Sequence, residues 1–246
     1  GSGVFASNII QLLENTTYYV RAYAINSVGT GYGNQVSLTT SEFPGCGYVM
    51  DINGNVYATV QIGTQCWLKE NLKATHYPDG TPIPYITDGI TWGNLLANNT
   101  DDAFCYYDNN TSSPYGALYS WAAAMGDNAV SSSSNPSGVQ GVCPDGWHLP
   151  SSAEWQQLKD YVGSNGYAGT EGYALKSVSG WYIDLNGCNA FGFNGKNSGI
   201  RFGGTLYQGQ FVWEFIVVRW WASDEIISDE AYTAHIFNSS ELRINN

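Results

Sequence analysis

The amino-acid sequence predicts an α+β fold in which two short helices accompany loop-rich antiparallel sheets, with a small separate β segment at the start. Three observations predict this class. The 246 residues include 29 glycines, 18 tyrosines and 9 tryptophans but only 12% charged residues, which suits aromatic packing on sheets better than a helical bundle. Short runs with high β propensity alternate with turn residues along much of the chain. A helical pattern of apolar residues follows Pro150.

Residues 1–42 are predicted to form the separate β segment. The runs from Thr17 to Ala24 and from Gln35 to Thr40 flank a glycine-rich turn at 28–33. This pattern indicates a hairpin and not a phosphate-binding loop, because no helix follows the glycines. Residues 12–40 resemble the closing strands of a fibronectin type III module. The resemblance implies a small partial β-sandwich, which must pack on the next domain or on another chain, or stay partly mobile.

Residues 43–246 are predicted to form the main domain, which begins with a hairpin. Asn53-Gly54 between two β runs is a hairpin turn signal. The alternation of Asp51, Asn53 and Asn55 is also found in calcium loops. Ile62 stands where such a loop needs a glutamate, so a turn is favoured and no metal is expected.

Two helices are predicted in this domain. The first covers one or two turns within Tyr119–Met125. The second follows Pro150, where Ser151 and Glu154 have the spacing of a capping box and Gly163 ends the pattern. Its inward face is predicted from four residues at helical spacing: Trp155, Leu158, Tyr161 and Val162.

The stretch from Gly203 to Arg243 combines two kinds of residue. Glycines and large aromatics are typical of a scaffold, and we expect Trp147, Trp155, Trp220 and Trp221 to be mainly core residues. Between the scaffold residues of the stretch lie side chains without periodicity, Leu206 and Asp229 among them, which indicates a displayed surface. The alternative, to which we give equal weight, is an ordinary buried strand from Phe211 to Arg219.

Motifs spread over about 200 residues resemble the bacterial family called the Fibrobacter succinogenes major paralogous domain. The resemblance implies a C-type lectin-like fold, related to that of the formylglycine-generating enzyme. The matching pieces are Asp51-Ile52-Asn53-Gly54-Asn55-Val56-Tyr57, Gln61-Ile62-Gly63-Thr64-Gln65-Cys66-Trp67, Glu70-Asn71-Leu72-Lys73, Tyr115-Gly116-Ala117-Leu118-Tyr119, Cys143-Pro144-Asp145-Gly146-Trp147-His148-Leu149-Pro150 with Glu154-Trp155, and Trp220-Trp221-Ala222-Ser223.

Some members of this fold resemble the variable proteins of diversity-generating retroelements, whose hypervariable positions lie in a similar C-terminal stretch. Adenine mutagenesis of Asn codons produces many residue types but not Trp or Glu, so Trp213 and Glu214 would be constant. The resemblance therefore implies a variable, ligand-binding surface whose side chains are largely open to solvent on one face. The expected positions are Tyr207, Val212, Phe215, Ile216, Val217, Arg219, Ile226, Ile227, Thr233 and His235.

The leading functional hypothesis is a surface-display binding protein without enzymatic activity or cofactor. Exposed aromatic, aliphatic and Arg side chains mark interaction patches, and we expect the partner to be a protein or another cell-surface ligand. The alternatives are a carbohydrate-binding protein, a structural surface lipoprotein and, less favoured, an enzyme of the formylglycine-generating type. The histidines His76, His148 and His235 are far apart in sequence, and no order of nucleophile and base stands out.

The net charge and the cysteine pattern limit the possible partners and the cellular location. The formal net charge of -12 argues against nucleic acid or an anionic membrane as partner, and no apolar run has the length of a membrane span. The five cysteines form no C-x-x-C pair, which disfavours a zinc site. Cys46 and Cys66 flank one predicted hairpin, and we expect a disulfide between them. The expected location is extracellular or at the cell surface, lipid-anchored or on a phage particle.

Overall fold

The computed structural model describes residues 17–40, 46–95, 100–126, 129–182, 184–204, 207–227 and 230–245. It is a mixed α+β structure of short helices and small antiparallel sheets, as predicted at this level. Much of the predicted N-terminal segment, residues 1–16 and 41–42, lies outside the described ranges, as do Leu206 and Asp229.

The strands are short and pair only in antiparallel ladders in the part of the chain that the structure describes. They form six two- or three-stranded sheets, with the orders β1-β4, β2-β3, β5-β6-β7, β8-β9, β10-β11 and β12-β13-β14. The bounds are β1 (Thr17–Val20), β2 (Tyr23–Asn26), β3 (Gly29–Tyr32), β4 (Val36–Thr39), β5 (Tyr48–Met50), β6 (Val56–Ile62), β7 (Gln65–Leu68), β8 (Phe104–Tyr106), β9 (Ala117–Tyr119), β10 (Ile200–Arg201), β11 (Phe211–Val212), β12 (Val218–Ile227), β13 (Glu230–Ile236) and β14 (Arg243–Asn245).

Four α-helices occur in the described ranges, where the sequence predicted two. The two predicted helices are α2 (Trp121–Met125) and α3 (Ser152–Val162); the additional ones are α1 (Gly89–Asn94) and α4 (Glu171–Leu175). Both additional helices contain glycine and span only one to two turns. Their local sequence therefore has no helix propensity strong enough to predict them. In α4, Gly172 lies so close to the backbone of Glu241 that a Cβ would meet it, so tertiary packing forms this helix.

The N-terminal strands make one long ribbon. Strand β1 pairs with β4 and β2 with β3, and the Asn26 side chain accepts hydrogen bonds from the backbone of Val28 and Gly29 at the turn. The predicted hairpin is confirmed, but its glycine-rich part forms strand β3 and the turn lies before it. Most side chains of the ribbon are exposed, including Tyr23 and Ile25, and none of them joins an apolar cluster of the described residues.

The first sheet of the main domain confirms two sequence expectations. Asp51 closes the turn between β5 and β6 by accepting hydrogen bonds from the backbone of Asn53 and Asn55, so these residues form a turn, as favoured. Cys46 and Cys66 form the predicted disulfide, with 5.8 Å between their Cα atoms. The covalent link joins the chain before β5 to strand β7, across the sheet that β6 occupies.

The largest apolar cluster lies between helix α3 and the sheet β12-β13-β14. Ser151 and Glu154 form the predicted capping box, and Gly163 is the C-cap of the helix. The ring of Trp155 stacks on that of Trp220, with centroids 5.4 Å apart, and lies 4.6 Å from that of Trp67.

Two expectations about this core are wrong. Tyr161 does not share the buried face of Trp155: it is 40% exposed, because the bulky ring lies over Gly63 at the helix surface. Trp147 is only half-buried and belongs to none of the apolar clusters of the described residues, since it lies in a turn between Pro144 and the helix cap. Trp220 and Trp221 are half-buried and pack against two different clusters.

Candidate ligand-binding surface

The segment between β11 and β12 displays two aromatic side chains on an unusual backbone. Trp213 has φ 60° and Phe215 has φ 65°, in the left-handed region that glycine normally occupies. Each costs roughly 1–2 kcal/mol for an L-residue. Trp213 is 40% exposed and Phe215 39% exposed, so the strain is not repaid by full burial of the rings. Strained residues persist where the surrounding structure holds them, and they cluster at functional sites.

Buried polar contacts hold this segment in place. The side-chain oxygen of Asn197, which is 1% exposed, accepts a hydrogen bond of 3.2 Å from the backbone N–H of Phe215. The amide of the same side chain donates to the carbonyl of Gly180. The backbone N–H of Tyr182 donates to the carbonyl of Phe215 at 2.8 Å. Two sides of the Phe215 peptide are therefore fixed by neighbouring loops.

The rings around this segment form a continuous row that we call the aromatic ledge: Phe202, Tyr207, Trp213 and Phe237. Phe202 stacks on Tyr207 with centroids 4.8 Å apart. Trp213 makes edge contacts with Phe202 and with Phe237, each at 5.4 Å. Phe215 lies outside the row, with its ring 6.3 Å from that of Tyr115. The ledge gives this end of the molecule an apolar surface with flat ring faces.

A row of basic side chains crosses the adjoining sheet. Arg219 on β12 is directly opposite His235 on β13, which in turn is opposite Arg243 on β14. Both arginines are exposed, while His235 is 7% exposed. Burial and the two flanking guanidinium groups lower the pKa of His235 to about 4, so the imidazole is neutral at pH 7.

The structure separates the ten expected surface residues by exposure. Tyr207, Phe215, Arg219, Ile226 and Ile227 are exposed, and Val212 and Ile216 are half-buried. Val217, Thr233 and His235 are buried, so the expectation of solvent-open side chains is wrong for these three. Val217 packs inward where its carbonyl accepts hydrogen bonds from Ser198 and Gly199, and Thr233 and His235 lie on the central strand of a three-stranded sheet.

The ten residues also do not share one face. Ile226 and Ile227 lie at the far end of β12, eight or nine residues beyond Val218, which corresponds to roughly 26–30 Å along a strand. Irregular pairing of β12 with β13 after Trp221 further changes which side chains face outward. Phe211 to Arg219 is not one buried strand either: it contains β11, a turn and the first residues of β12.

Sequence reasoning did not select four residues that complete this surface: Phe202, Trp213, Phe237 and Arg243. The codon rule predicts that Trp213 is constant, because adenine mutagenesis of Asn codons does not produce Trp. Phe202 precedes the stretch from Gly203 to Arg243 and Phe237 lies within it. The contacts of both rings with Trp213 depend on the turn at 214–216, which has no sequence signature. The strand register alone brings Arg243 beside His235.

A cleft of about 1040 Å³ has His148 and Glu154 on its wall, and its lining also includes Arg219 of the basic row and Phe202 of the aromatic ledge. Nε2 of His148 lies 2.7 Å from a carboxylate oxygen of Glu154, whose other oxygen accepts hydrogen bonds from the backbone of Ser137 and Ser151. Through these contacts, the Glu154 carboxylate caps the N-terminus of α3. Burial raises the pKa of the thiols of Cys105 and Cys143 to about 11 and about 12, which keeps them protonated and weakly nucleophilic.

Neither metal binding nor membrane insertion gains support from the described part of the chain. Histidine, cysteine and acidic side chains are nowhere gathered there in threes that could coordinate an ion. Among the same residues, no helix has the length and apolar character needed to cross a bilayer.

Comparison with known proteins gave one match. A family model described as the Fibrobacter succinogenes major domain matches residues 60–244. No curated protein and no solved structure matches the chain. The matched range contains the capped helix, the aromatic ledge and the basic row.

Proposed function

The chain belongs to the Fibrobacter succinogenes major domain family, and from this premise we propose that it is a binding protein whose C-terminal surface recognises a protein partner. One observation carries the proposal: Trp213 and Phe215 are held half-exposed in a backbone conformation that L-residues avoid. Aromatic anchors on a rigid support lose little conformational entropy on binding and are frequent hot spots of interfaces. The ledge and the neighbouring Arg219 provide both the apolar and the charged part of such a surface.

The finer features of the proposal come from the resemblances. We propose that the main domain has a C-type lectin-like fold, that residues 17–40 derive from a fibronectin type III module, and that the surface corresponds to the variable region of a diversity-generating retroelement protein. Under the codon rule, Trp213 would be constant while Tyr207 and Phe215 beside it vary. A constant anchor among variable neighbours gives each variant the same apolar centre with a different rim.

The proposed location is outside the cell or on its surface. The Cys46–Cys66 disulfide supports this location, because disulfides persist in oxidising compartments. An excess of acidic residues, with a formal net charge of -12, favours solubility and disfavours nucleic acid as partner.

The test is a binding screen of the full chain against an array of bacterial surface proteins and, in parallel, a glycan array. We expect a protein ligand whose binding is lost in the double variant Trp213→Ala, Phe215→Ala. The control is the double variant Ile226→Ser, Ile227→Ser, which removes two exposed apolar side chains at the far end of β12 and should bind like the wild type. Equal loss in both variants, or binding unaffected in both, contradicts the proposal.

The glycan array decides on the alternative. Flat exposed rings such as Tyr207 also stack on sugars, so saturable binding to a glycan with no protein ligand would replace the protein partner by a carbohydrate. Loss of that binding in the Trp213→Ala, Phe215→Ala variant would still assign the recognition to this surface.

A further inference from the structure

The basic row contains an arginine without a counter-ion among the described residues. Arg219 and Arg243 lie on the two strands beside β13, each directly opposite His235, whose imidazole is neutral at pH 7 and adds no charge between them. Arg243 has a counter-ion, because its Nε lies 3.3 Å from Glu241, which also binds Lys159. Arg219 has no ion pair or hydrogen bond within the described ranges. The row therefore carries an unneutralised guanidinium in a chain whose overall charge is strongly negative.

His235 adds an independent sign of a missing ligand. Its Nδ1 is buried and has no hydrogen-bond partner among the residues that the structure describes. Leaving a buried polar atom unsatisfied costs about 1–3 kcal/mol, so such atoms call for an explanation. The imidazole is more than nine-tenths buried and lies between the two arginines by strand register.

We propose that the basic row binds a carboxylate group of the protein partner, with Arg219 as the main contact and Arg243 and His235 beside it. The planar guanidinium group of Arg219 matches a carboxylate by two parallel hydrogen bonds. The assignment of the carboxylate to a partner rests on the proposed function, since the aromatic ledge lies close in sequence to the middle of the row. Phe237, one of the two ledge residues in contact with Trp213, follows His235 by two positions. An acidic side chain next to an apolar one is therefore the recognition element that fits.

Charge coupling gives a second readout. The charged groups that face His235 are Arg219 on β12, Arg243 on β14 and Glu241 before β14. Burial is the largest cause of the lowered pKa of His235, the two arginines lower it further, and Glu241 raises it. A carboxylate bound to the row opposes the effect of the arginines in the same way as Glu241 does. Binding should therefore raise the pKa of His235 from about 4 toward its ordinary value.

The three histidines of the chain make a direct titration practical. The full chain with ¹³C-labelled histidine is titrated at pH 7.5 with sodium acetate, and separately with sodium sulfate, each replacing sodium chloride at constant ionic strength. We expect a saturable shift of the His235 ring signal with acetate and none for His76 and His148. A pH titration over the range in which acetate is still ionised should show His235 beginning to gain its proton at a higher pH in acetate than in chloride.

Two variants of equal charge test the role of Arg219. Arg219→Gln should weaken acetate binding about tenfold, the loss of one charge-assisted contact. Arg21→Gln, on the exposed N-terminal ribbon, removes the same charge elsewhere and should leave binding unchanged. A His235 shift that is the same in chloride, or unchanged in Arg219→Gln, overturns the carboxylate site. A response to sulfate but not to acetate overturns the choice of carboxylate.

The titration needs no partner, so its failure is separable from failure of the proposed function. If the chain binds acetate at the basic row but neither array gives a ligand, the anion site is supported and the protein partner is not. If partner binding depends on Trp213 and Phe215 but acetate does not bind, the proposed function is supported and the anion site is not.

Discussion

At the scale of single residues, Asn197 shows how the fold holds an unfavourable backbone conformation. A fully buried amide binds one loop at Gly180 and the next at Phe215, so the loop cannot relax without breaking a buried hydrogen bond. Such a break costs about 1–3 kcal/mol, which is comparable with the strain at Phe215. The position of the exposed ring is thus set by a residue that no ligand would touch.

Glycine and alanine substitutions at position 215 should measure this strain. Both Phe215→Gly and Phe215→Ala lose the ring, but only glycine adopts φ 65° without strain. We expect the glycine variant to be more stable by about 1 kcal/mol in urea unfolding. At Ile216, which is not among the residues with positive φ, the order should reverse, with alanine the more stable. The same order at both positions would mean that Phe215 is not strained.

Two histidines should give the free energy of unfolding opposite dependences on pH. The pKa of His235 is lowered from 6.5 to about 4, so the unfolded chain binds its proton more readily between these values. Its contribution is present above pH 6.5 and is lost as pH falls toward 4, by up to about 3 kcal/mol. The hydrogen bond with Glu154 raises the pKa of His148, so that contribution is present below the unfolded pKa and is lost as pH rises through the folded one.

Urea unfolding between pH 3.5 and 8 tests this assignment. In His235→Gln the fall in stability from pH 6.5 to 4 should become shallower, whatever the variant's overall stability. In His148→Gln that acid limb should remain and the loss above pH 6.5 should disappear. An unchanged acid limb in His235→Gln would show that other groups cause it.

At the scale of secondary-structure elements, local signals predicted only what local interactions form. The capping box of α3 and the Asp51 turn are contacts within a few residues, and both were predictable. Helices α1 and α4 were not, because Gly93 and Gly172 lie against distant backbone, at Gln208 and Glu241. The short strand β11, the turn after it and the start of β12 likewise depend on Asn197, which is remote in sequence.

Helix α3 should depend strongly on Trp155. The ring is 3% exposed and lies between Trp67 and Trp220, so Trp155→Ala leaves a large cavity. We expect a loss of about 3–5 kcal/mol in the free energy of unfolding. Tyr161→Ala on the exposed side of the same helix is the control and should cost clearly less. A variant at Trp155 with an unchanged melting temperature would contradict the packing of the helix on the sheet.

The first sheet should depend on its disulfide. Cys46 and Cys66 are separated by 20 residues, and closing a loop of this length stabilises a protein by roughly 3 kcal/mol. The Cys46→Ser, Cys66→Ser variant should lose about this amount, and a reducing agent should lower the stability of the wild type but not that of the variant. Labelling of both thiols in the native, non-reduced protein would show that the bond is not formed.

At the scale of the whole molecule, the residues that stabilise the fold and those proposed to bind a partner lie on opposite faces of one sheet. The inner face of β12-β13-β14 carries Trp220, Ala234 and Ile236 into the main core, while the outer face carries the basic row. The composition and motifs predicted the fold class and the region of the surface. They could not predict which side chains face outward, because strand register, bulges and left-handed residues decide that, and one-residue changes in register invert it.

This layering makes a final prediction, which revises the surface expected from sequence. Because Ile226 and Ile227 are exposed at the end of β12, changing both to Ser should alter the free energy of unfolding by less than about 1 kcal/mol. Val217 belongs to the same apolar run of sequence but is fully buried, so Val217→Ala should cost about 2 kcal/mol or more. Ile216, which is half-buried, should lie between the two when changed to Ala. Urea unfolding of the three variants under one set of conditions gives the comparison. If Val217→Ala were as harmless as the Ile226, Ile227 pair, the turn at 214–216 would not be packed on the core, and the ledge would lose the rigid support from which its role in binding is argued.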